Sequence, residues 1–151
     1  MQKVIAKGVS LGMYIITANG GGKANGMTAC WATQVSFSPL LMMVSIGPDK
    51  YTNELIKKSG YFAINVLSEG QTNEARHFGF QSGRTVDKMK DYAYTNAPQG
   101  SPILEIAMAY CECKLKDVFP AGDHELFVGE VVNAKLLKDI TPLPFVWGEY
   151  F

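Results

Sequence analysis

Along this chain, short stretches of period-two polarity alternate with brief apolar runs, and that pattern predicts strands more often than helices. Gly8 to Asn19 reads as a first strand of mixed alternation. Asn19-Gly20-Gly21-Gly22-Lys23-Ala24-Asn25-Gly26 follows, rich in residues that tolerate positive φ, and suits a hairpin. β character resumes over Met27 to Ser36, with Thr28, Trp31, Thr33 and Val35, and breaks at Phe37-Ser38-Pro39. Leu40 to Ile46 is a continuous apolar run, the pattern of a strand buried on both faces, and Gly47-Pro48 ends it.

A helix is predicted next. Asp49 or Thr52 can cap it, Glu54 lies in its first turn, Lys57 and Lys58 lie in its last, and Gly60 stops it. Leu55 and Ile56 supply its apolar side. Tyr61 to Leu67 reads as another strand, and Glu69 to Phe80 as a short helix. Gln81 to Pro102 is polar, carries Gly and Pro, and reads as an irregular excursion; a loop of that length in a compact domain is more often functional than decorative. From Glu105 the alternation returns. Tyr110 to Lys116, a pause at Pro120-Ala121-Gly122-Asp123, and Leu126 to Val132 predict a long hairpin. Pro142 and Pro144 precede a last segment, Phe145-Val146-Trp147. These elements predict one mainly β domain over residues 1–151, with a helix after the third strand and short additional helices. Closing its sheet into a barrel would remove the exposed edges.

Composition narrows the function classes. The chain has 151 residues, 47% hydrophobic and 19% charged, enough for a core without disulfides. Net charge is zero and no basic run of five occurs, so nucleic acid and anionic membrane are not the expected partners. Met1 to Gly8 lacks a signal-peptide core, and no apolar run is long enough to cross a bilayer, so a cytoplasmic location is expected. Cys30, Cys111 and Cys113 make no disulfide framework. Cys111 and Cys113 share a strand face, but no Cys-x-x-Cys or His-rich partner accompanies them. Buried structural thiols are expected there and no metal site.

Three constellations can carry chemistry. Asn25-Gly26-Met27-Thr28-Ala29-Cys30-Trp31-Ala32 offers small side chains and backbone amides against which a flat ring can lie; it reads equally as a hairpin entering a core strand. Ser45-Ile46-Gly47-Pro48-Asp49-Lys50-Tyr51-Thr52 runs a strand into a helix start. Unpaired amides, Lys50 and Thr52 there favour a phosphate, although an ordinary capped turn has the same residues. Gly122-Asp123-His124-Glu125 places a histidine at a hairpin tip, where a structural role is the commoner one. The nucleotide-fold glycine fingerprint, the Walker sequence and Gly-x-Ser-x-Gly are all absent.

Taken in order, these motifs resemble the flavin reductase-like family of the FMN-binding split barrel. The resemblance runs from about Gly8 to Asp139. It is carried by Asn25 to Trp31, Val35-Ser36-x-x-Pro39, Val44-Ser45-Ile46, Lys50-x-Thr52, Ser59 to Leu67, Phe80-x-Ser82-Gly83-Arg84-x-x-Asp87-Lys88, and Gly122-Asp123-His124-x-Leu126-Phe127-Val128-Gly129-Glu130-Val131. The element from Ser82 to Lys88 is similar to that of flavoredoxins and of the flavin domain of high-molecular-weight rubredoxins. The resemblance implies a six-stranded split β-barrel and a homodimer with FMN near the subunit interface. It implies that the strand from Thr28 through Ala29 to Ala32 lines the isoalloxazine, with Trp31 or Cys30 near the ring, and that Asn25 and Met27 also contact the cofactor. Ser45, Ile46, Gly47, Lys50, Tyr51 and Thr52 would hold the ribityl chain and phosphate. Phe80, Arg84 and Lys88 would add phosphate-side or ring-edge contacts, and His124 would stand near the nicotinamide or flavin edge as the catalytic group. The implied activity is hydride transfer from NAD(P)H to FMN. The alternatives are an electron carrier with tightly bound FMN, served by a rubredoxin- or ferredoxin-type protein, and a non-redox flavin-binding protein.

Overall fold

The computed structural model describes residues 1–149, so the expected domain end at Phe151 lies outside the described residues. The elements are α1 (Gln2–Gly8), β1 (Tyr14–Gly20), β2 (Lys23–Ala29), β3 (Ala32–Ser36), β4 (Leu41–Ile46), α2 (Tyr51–Ser59), β5 (Tyr61–Val66), α3 (Thr72–Gly79), β6 (Tyr94–Asn96), β7 (Pro102–Leu104), β8 (Ala109–Ala121) and β9 (His124–Leu136). Seven strands form one antiparallel sheet in the order β2-β1-β5-β8-β9-β4-β3, and β6 with β7 makes a small separate hairpin. None of the helices among the described residues is long and apolar enough to cross a membrane.

The strand count differs from the six expected, for a local reason. Met27 to Ser36 is two strands: β2 ends at Ala29, β3 begins at Ala32, and Cys30-Trp31 carries the chain from one edge of the sheet to the other. The helix α2 therefore follows the fourth strand rather than the third. No ladder joins the edge strands β2 and β3 among the described residues, so closure is absent from the hydrogen-bond pattern. Two further expectations change. Gln2–Gly8 is helical with no buried residue, and β1 begins only at Tyr14. In β4 only Val44 and Ile46 are buried, while Leu41, Met42 and Met43 are half-buried, so the apolar run is not covered on both faces.

Turn chemistry sets the register. Gly21 and Gly22 sit at φ 62° and 81°, the two positive values that a two-residue hairpin with right-twisted strands requires. That turn pairs Gly20 with Lys23 and thereby Asn25 with Ala18. Gly60, at φ 78°, closes α2 by donating its N–H to the Ile56 carbonyl.

Because side chains alternate along β1, it feeds two cores. Ile16 and Ala18 join Phe62, Ile64 and Phe127 on one face, and Leu55 and Ile56 of α2 close that core. Met13 and Ile15 face the other way, against Ala75 and Phe78 of α3 and Met89 and Leu104. A buried polar tie then fastens the β6–β7 hairpin to the sheet. Asn65 Nδ2 donates to Thr17 Oγ1 (2.9 Å), Thr17 Oγ1 donates to the Pro102 carbonyl, and Leu104 N donates to Asn65 Oδ1 (2.9 Å).

Candidate functional site

The turn from β4 into α2 brings the candidate residues together. Lys50 is the N-cap of α2 and no side chain caps the helix, so neither Asp49 nor Thr52 takes the capping role open to it in the sequence. Thr52 instead accepts a hydrogen bond from Asn25 Nδ2 at 3.0 Å, which ties β2 to the helix start. Arg84 reaches the same place from the long excursion. Its guanidinium lies 5.2 Å from the Tyr51 ring centroid, donates to Glu54 Oε2 at 3.3 Å and to the Asp49 carbonyl at 3.4 Å. A cleft of about 670 Å³ opens beside these groups, between Lys23 to Asn25, Tyr51 and the segment from Gly83 to Lys90.

Lys88, in the same excursion as Arg84, is buried, 3% exposed. Its ammonium donates to the carbonyls of Phe78 (2.9 Å) and Gln81 (3.1 Å). Burial, and then repulsion from nearby Lys50, push its pKa down to about 8. Neither lysine has an ion-pair partner among the described residues. The loop that carries Lys88 is braced by the other histidine. Gln81 Nε2 lies 3.3 Å from His77 Nδ1 and His77 Nε2 lies 2.8 Å from the Lys88 carbonyl, a pattern met by a neutral ring protonated at Nε2.

At the other end of the Ser45–Thr52 segment stands a second cluster. Ser45 N donates to the Trp31 carbonyl at 2.9 Å. The Trp31 ring meets His124 edge-on, with centroids 5.0 Å apart. His124 Nδ1 lies 2.8 Å from Asp123 Oδ1, and the imidazole holds the Asp123 carboxyl below the usual carboxylate range. Next along β9, Glu125 accepts from Asn53 Nδ2 and from Lys57 Nζ, both at 2.9 Å, and these two bonds lower its pKa. Asn53 Nδ2 also donates to the Gly47 carbonyl at 3.2 Å. The hairpin tip, α2 and the Gly47 turn are thus braced as one unit.

The predicted residues divide accordingly. Asn25, Tyr51 and Arg84 line the cleft, Thr52 is tied to it through Asn25, and Lys50 lies near enough to Lys88 to lower its pKa. Trp31 and His124 meet at the hairpin tip. Residues 27–32 do not present one face, because a strand alternates. Met27, Ala29 and Ala32 pack toward the main core, as does Ile46. Thr28 turns to α3 and donates to the Ala75 carbonyl at 2.6 Å, and Cys30 packs on the second core. Phe80 is exposed at the end of α3. Lys23, Thr85, Lys90 and Tyr94 also line the cleft and were not among the predicted residues. Only Lys23 had a local signal, a cation directly after the glycine turn. Asn53 and Glu125, 72 positions apart, had none.

The donor set can be tested against a phosphate-tailed redox ring. An uncapped helix start, two lysines without carboxylate partners and a neighbouring aromatic–imidazole pair all suit one. That set stands on one seven-stranded antiparallel sheet with few helices. The chain is a member of the flavin reductase like domain family, whose model matches residues 6–151. It is 34% identical over 141 residues to the high molecular weight rubredoxin of Moorella thermoacetica, covering 92% of this chain and 62% of that protein. The Streptomyces globisporus NADH:FAD oxidoreductase superposes with a TM-score of 0.87 at 29% identity, over 95% of this chain and 86% of that one. An FMN-binding protein from Thermus thermophilus superposes with a TM-score of 0.81 at 32% identity, over 85% and 72%. Other relatives are longer still: the chain spans 49% of a protein from Aeropyrum pernix.

Proposed function

We propose that this chain binds FMN and reduces it with NAD(P)H. The phosphate would sit at the start of α2, held by Lys50, Thr52 and the first-turn amides, with Arg84 and Lys88 behind. The ring would lie along residues 27–32 toward Trp31 and His124. One observation carries the reading. Lys50, without a carboxylate partner, is the N-cap of a helix that no side chain caps, and Lys88, buried and likewise without one, lies near enough to feel its charge. Such an arrangement is unfavourable until an anion joins it.

When bound, FMN supplies hydride acceptance at its ring. The protein's own part is binding and positioning. Asp123 engages Nδ1 of His124 and leaves Nε2 as the free nitrogen, while Trp31 braces the imidazole edge-on. Lys88, anchored by two carbonyls, holds a positive charge on the phosphate or ring edge below about pH 8. The Asn25–Thr52 bond fixes the threonine hydroxyl against β2. The sheet would close as the family's split barrel, and two copies would pair as a homodimer in the cytoplasm.

A second reading has its own support, the relation to the rubredoxin protein. Here FMN stays tightly bound and a rubredoxin- or ferredoxin-type protein exchanges electrons with it. Two measurements separate the readings. Mixing FMN-loaded protein with NADH under argon bleaches the oxidised flavin if the chain is a reductase; an unchanged spectrum sinks that version. Flavin lost on desalting sinks the carrier version. Lys50→Ala with Thr52→Ala weakens FMN at least tenfold, about 1.4 kcal/mol, because both remove phosphate partners. Unchanged FMN affinity would show the phosphate to be elsewhere.

A further inference from the structure

The ladder between β4 and β9 stops at Ile46 and Glu125, whereas β8 and β9 run on together to Ala121 and His124. His124 therefore stands one residue past the last rung that β4 supplies. A side-chain splice takes over at that point. Asn53, in the first turn of α2 and 2% exposed, donates through Nδ2 to the Gly47 carbonyl at 3.2 Å and to Glu125 Oε1 at 2.9 Å. Both hydrogens of its amide are thus committed, one to the end of β4 and one to the start of β9. The Gly47 carbonyl also accepts from Lys50 N at 3.2 Å, so the splice reaches the helix start. Lys57, one turn further along the same face of α2, donates to Glu125 Oε1 at 2.9 Å. Neighbours in a strand point to opposite sides, and on the other side of the tip the His124 ring meets Trp31. Neither Asn53 nor Glu125 belongs to the motifs that carry the family resemblance, where position 125 is open.

We propose that Glu125, held by Asn53, is the positioning residue of His124: its carboxylate ties the hairpin tip to α2 and so sets where the imidazole stands against Trp31. The effect on hydride transfer rests on the role given to His124 above; the placement of the ring does not. Apolar side chains at 53 and 125 would also hold helix to strand, but such packing has no direction. Hydrogen bonds do, and a satisfied network selects one arrangement. The Asp123 contact cannot take this part. Asp123 sits on the same tip with its side chain 97% exposed, so it turns with the histidine and fixes only its tautomer. Placement matters because a misplacement of about 1 Å can cost on the order of 100-fold in rate.

Two measurements test this, and the first needs no flavin. The chain has two histidines, so the ring signals of His124 in a proton NMR spectrum are those that His124→Ala removes. With centroids 5.0 Å apart, the His124 and Trp31 rings should show a nuclear Overhauser contact in the parent chain. Glu125→Ala should abolish it. Glu125→Leu, which keeps bulk against α2 but offers no acceptor, should do the same. Glu125→Gln should keep it, since the amide oxygen can still accept from Asn53 and Lys57. Urea midpoints establish that each variant is folded. A ring contact that persists in the Ala and Leu variants, or vanishes equally in the Gln variant, overturns the proposal.

The second measurement mixes the FMN-loaded chain with NADH in stopped flow. Glu125→Ala should slow bleaching of the flavin about tenfold and leave FMN affinity within about threefold. Added to His124→Ala, the same change should alter the rate by less than about twofold, because its effect passes through a ring already removed. Glu125→Gln should recover most of the lost rate. Equal slowing with and without His124 would make Glu125 a general structural residue and overturn the proposal, as would a fall in FMN affinity that matches the fall in rate. A parent chain that NADH fails to bleach sinks the reductase reading instead, and the ring contact then decides the placement of His124 by itself.

Discussion

Lys88 is the residue whose role the surroundings change most. In the sequence it ends the Ser82 to Lys88 motif, and its own neighbours would equally suit a solvated face. In the fold it is buried, its amine feels the charge of Lys50, and burial first and that repulsion second lower its pKa from 10.5 to about 8. The sign follows from linkage. Between those two values the unfolded chain holds the proton and the folded chain has released it, so stability rises with pH across that window. Below about 8 both states are protonated and the desolvation cost is fully present. Urea midpoints measured from neutral pH upward should climb through this window, and Lys88→Met should flatten the climb. The same titration predicts that FMN affinity declines as pH passes 8, since the cation facing the phosphate is lost. His124 is the second test at this scale. Its Nδ1 is engaged by Asp123 and its ring by Trp31, so His124→Ala should slow flavin reduction by roughly 100-fold while leaving FMN affinity within about threefold. Stopped-flow mixing with NADH reads the first quantity and flavin fluorescence the second; loss of neither would make this histidine a structural one.

The elements were legible in unequal measure. The helix from Tyr51 to Ser59 agrees with its sequence signals at Glu54, Lys57, Lys58 and Gly60 because a helix is decided by neighbours a few positions apart. The long hairpin of β8 and β9 was equally plain, with Gly122 at φ 61° in its turn. The division of residues 27–36 into two strands was not legible. Nothing in Cys30-Trp31 breaks the β pattern; the break arises because the two halves hydrogen-bond to opposite sides of the sheet. Glu112 shows the same limit. It sits in an alternating run where a charged side chain is expected outside, yet it is fully buried. Its oxygens accept from Gln99 N and Ser101 N at 3.0 Å and from Asn133 Nδ2 at 2.9 Å, which pins the 97–101 turn to the sheet. Glu112→Ala leaves the buried Ser101 amide without a partner, and takes one from the partly buried Gln99 N–H and Asn133 amide, and should cost about 3 kcal/mol, read as a lower urea midpoint. A change below about 1 kcal/mol would mean that water replaces the carboxyl group.

At the scale of the molecule, the edge strand β3 and its turn leave Val35, Phe37 and Leu40 exposed, Phe37 by 89%. An unpaired edge bearing apolar side chains is a liability for a solitary chain. Light scattering should therefore return about twice 16.5 kDa, and Phe37→Glu should shift the particle toward the monomer. A monomeric parent chain would remove the homodimer from the reading. The amino-acid order alone determined the mainly β class, the position of the helix from Tyr51 to Ser59, the hairpin turns and the family motifs, because each is written in polarity and turn chemistry over a few neighbouring residues. Only the tertiary structure decided that Thr28 turns to α3, that Lys88 is buried within reach of Lys50's charge, and that Asn53 and Glu125 brace the histidine's hairpin. Those facts depend on which distant segments share a low-dielectric space, and burial and pairing across dozens of residues leave no mark on the local pattern.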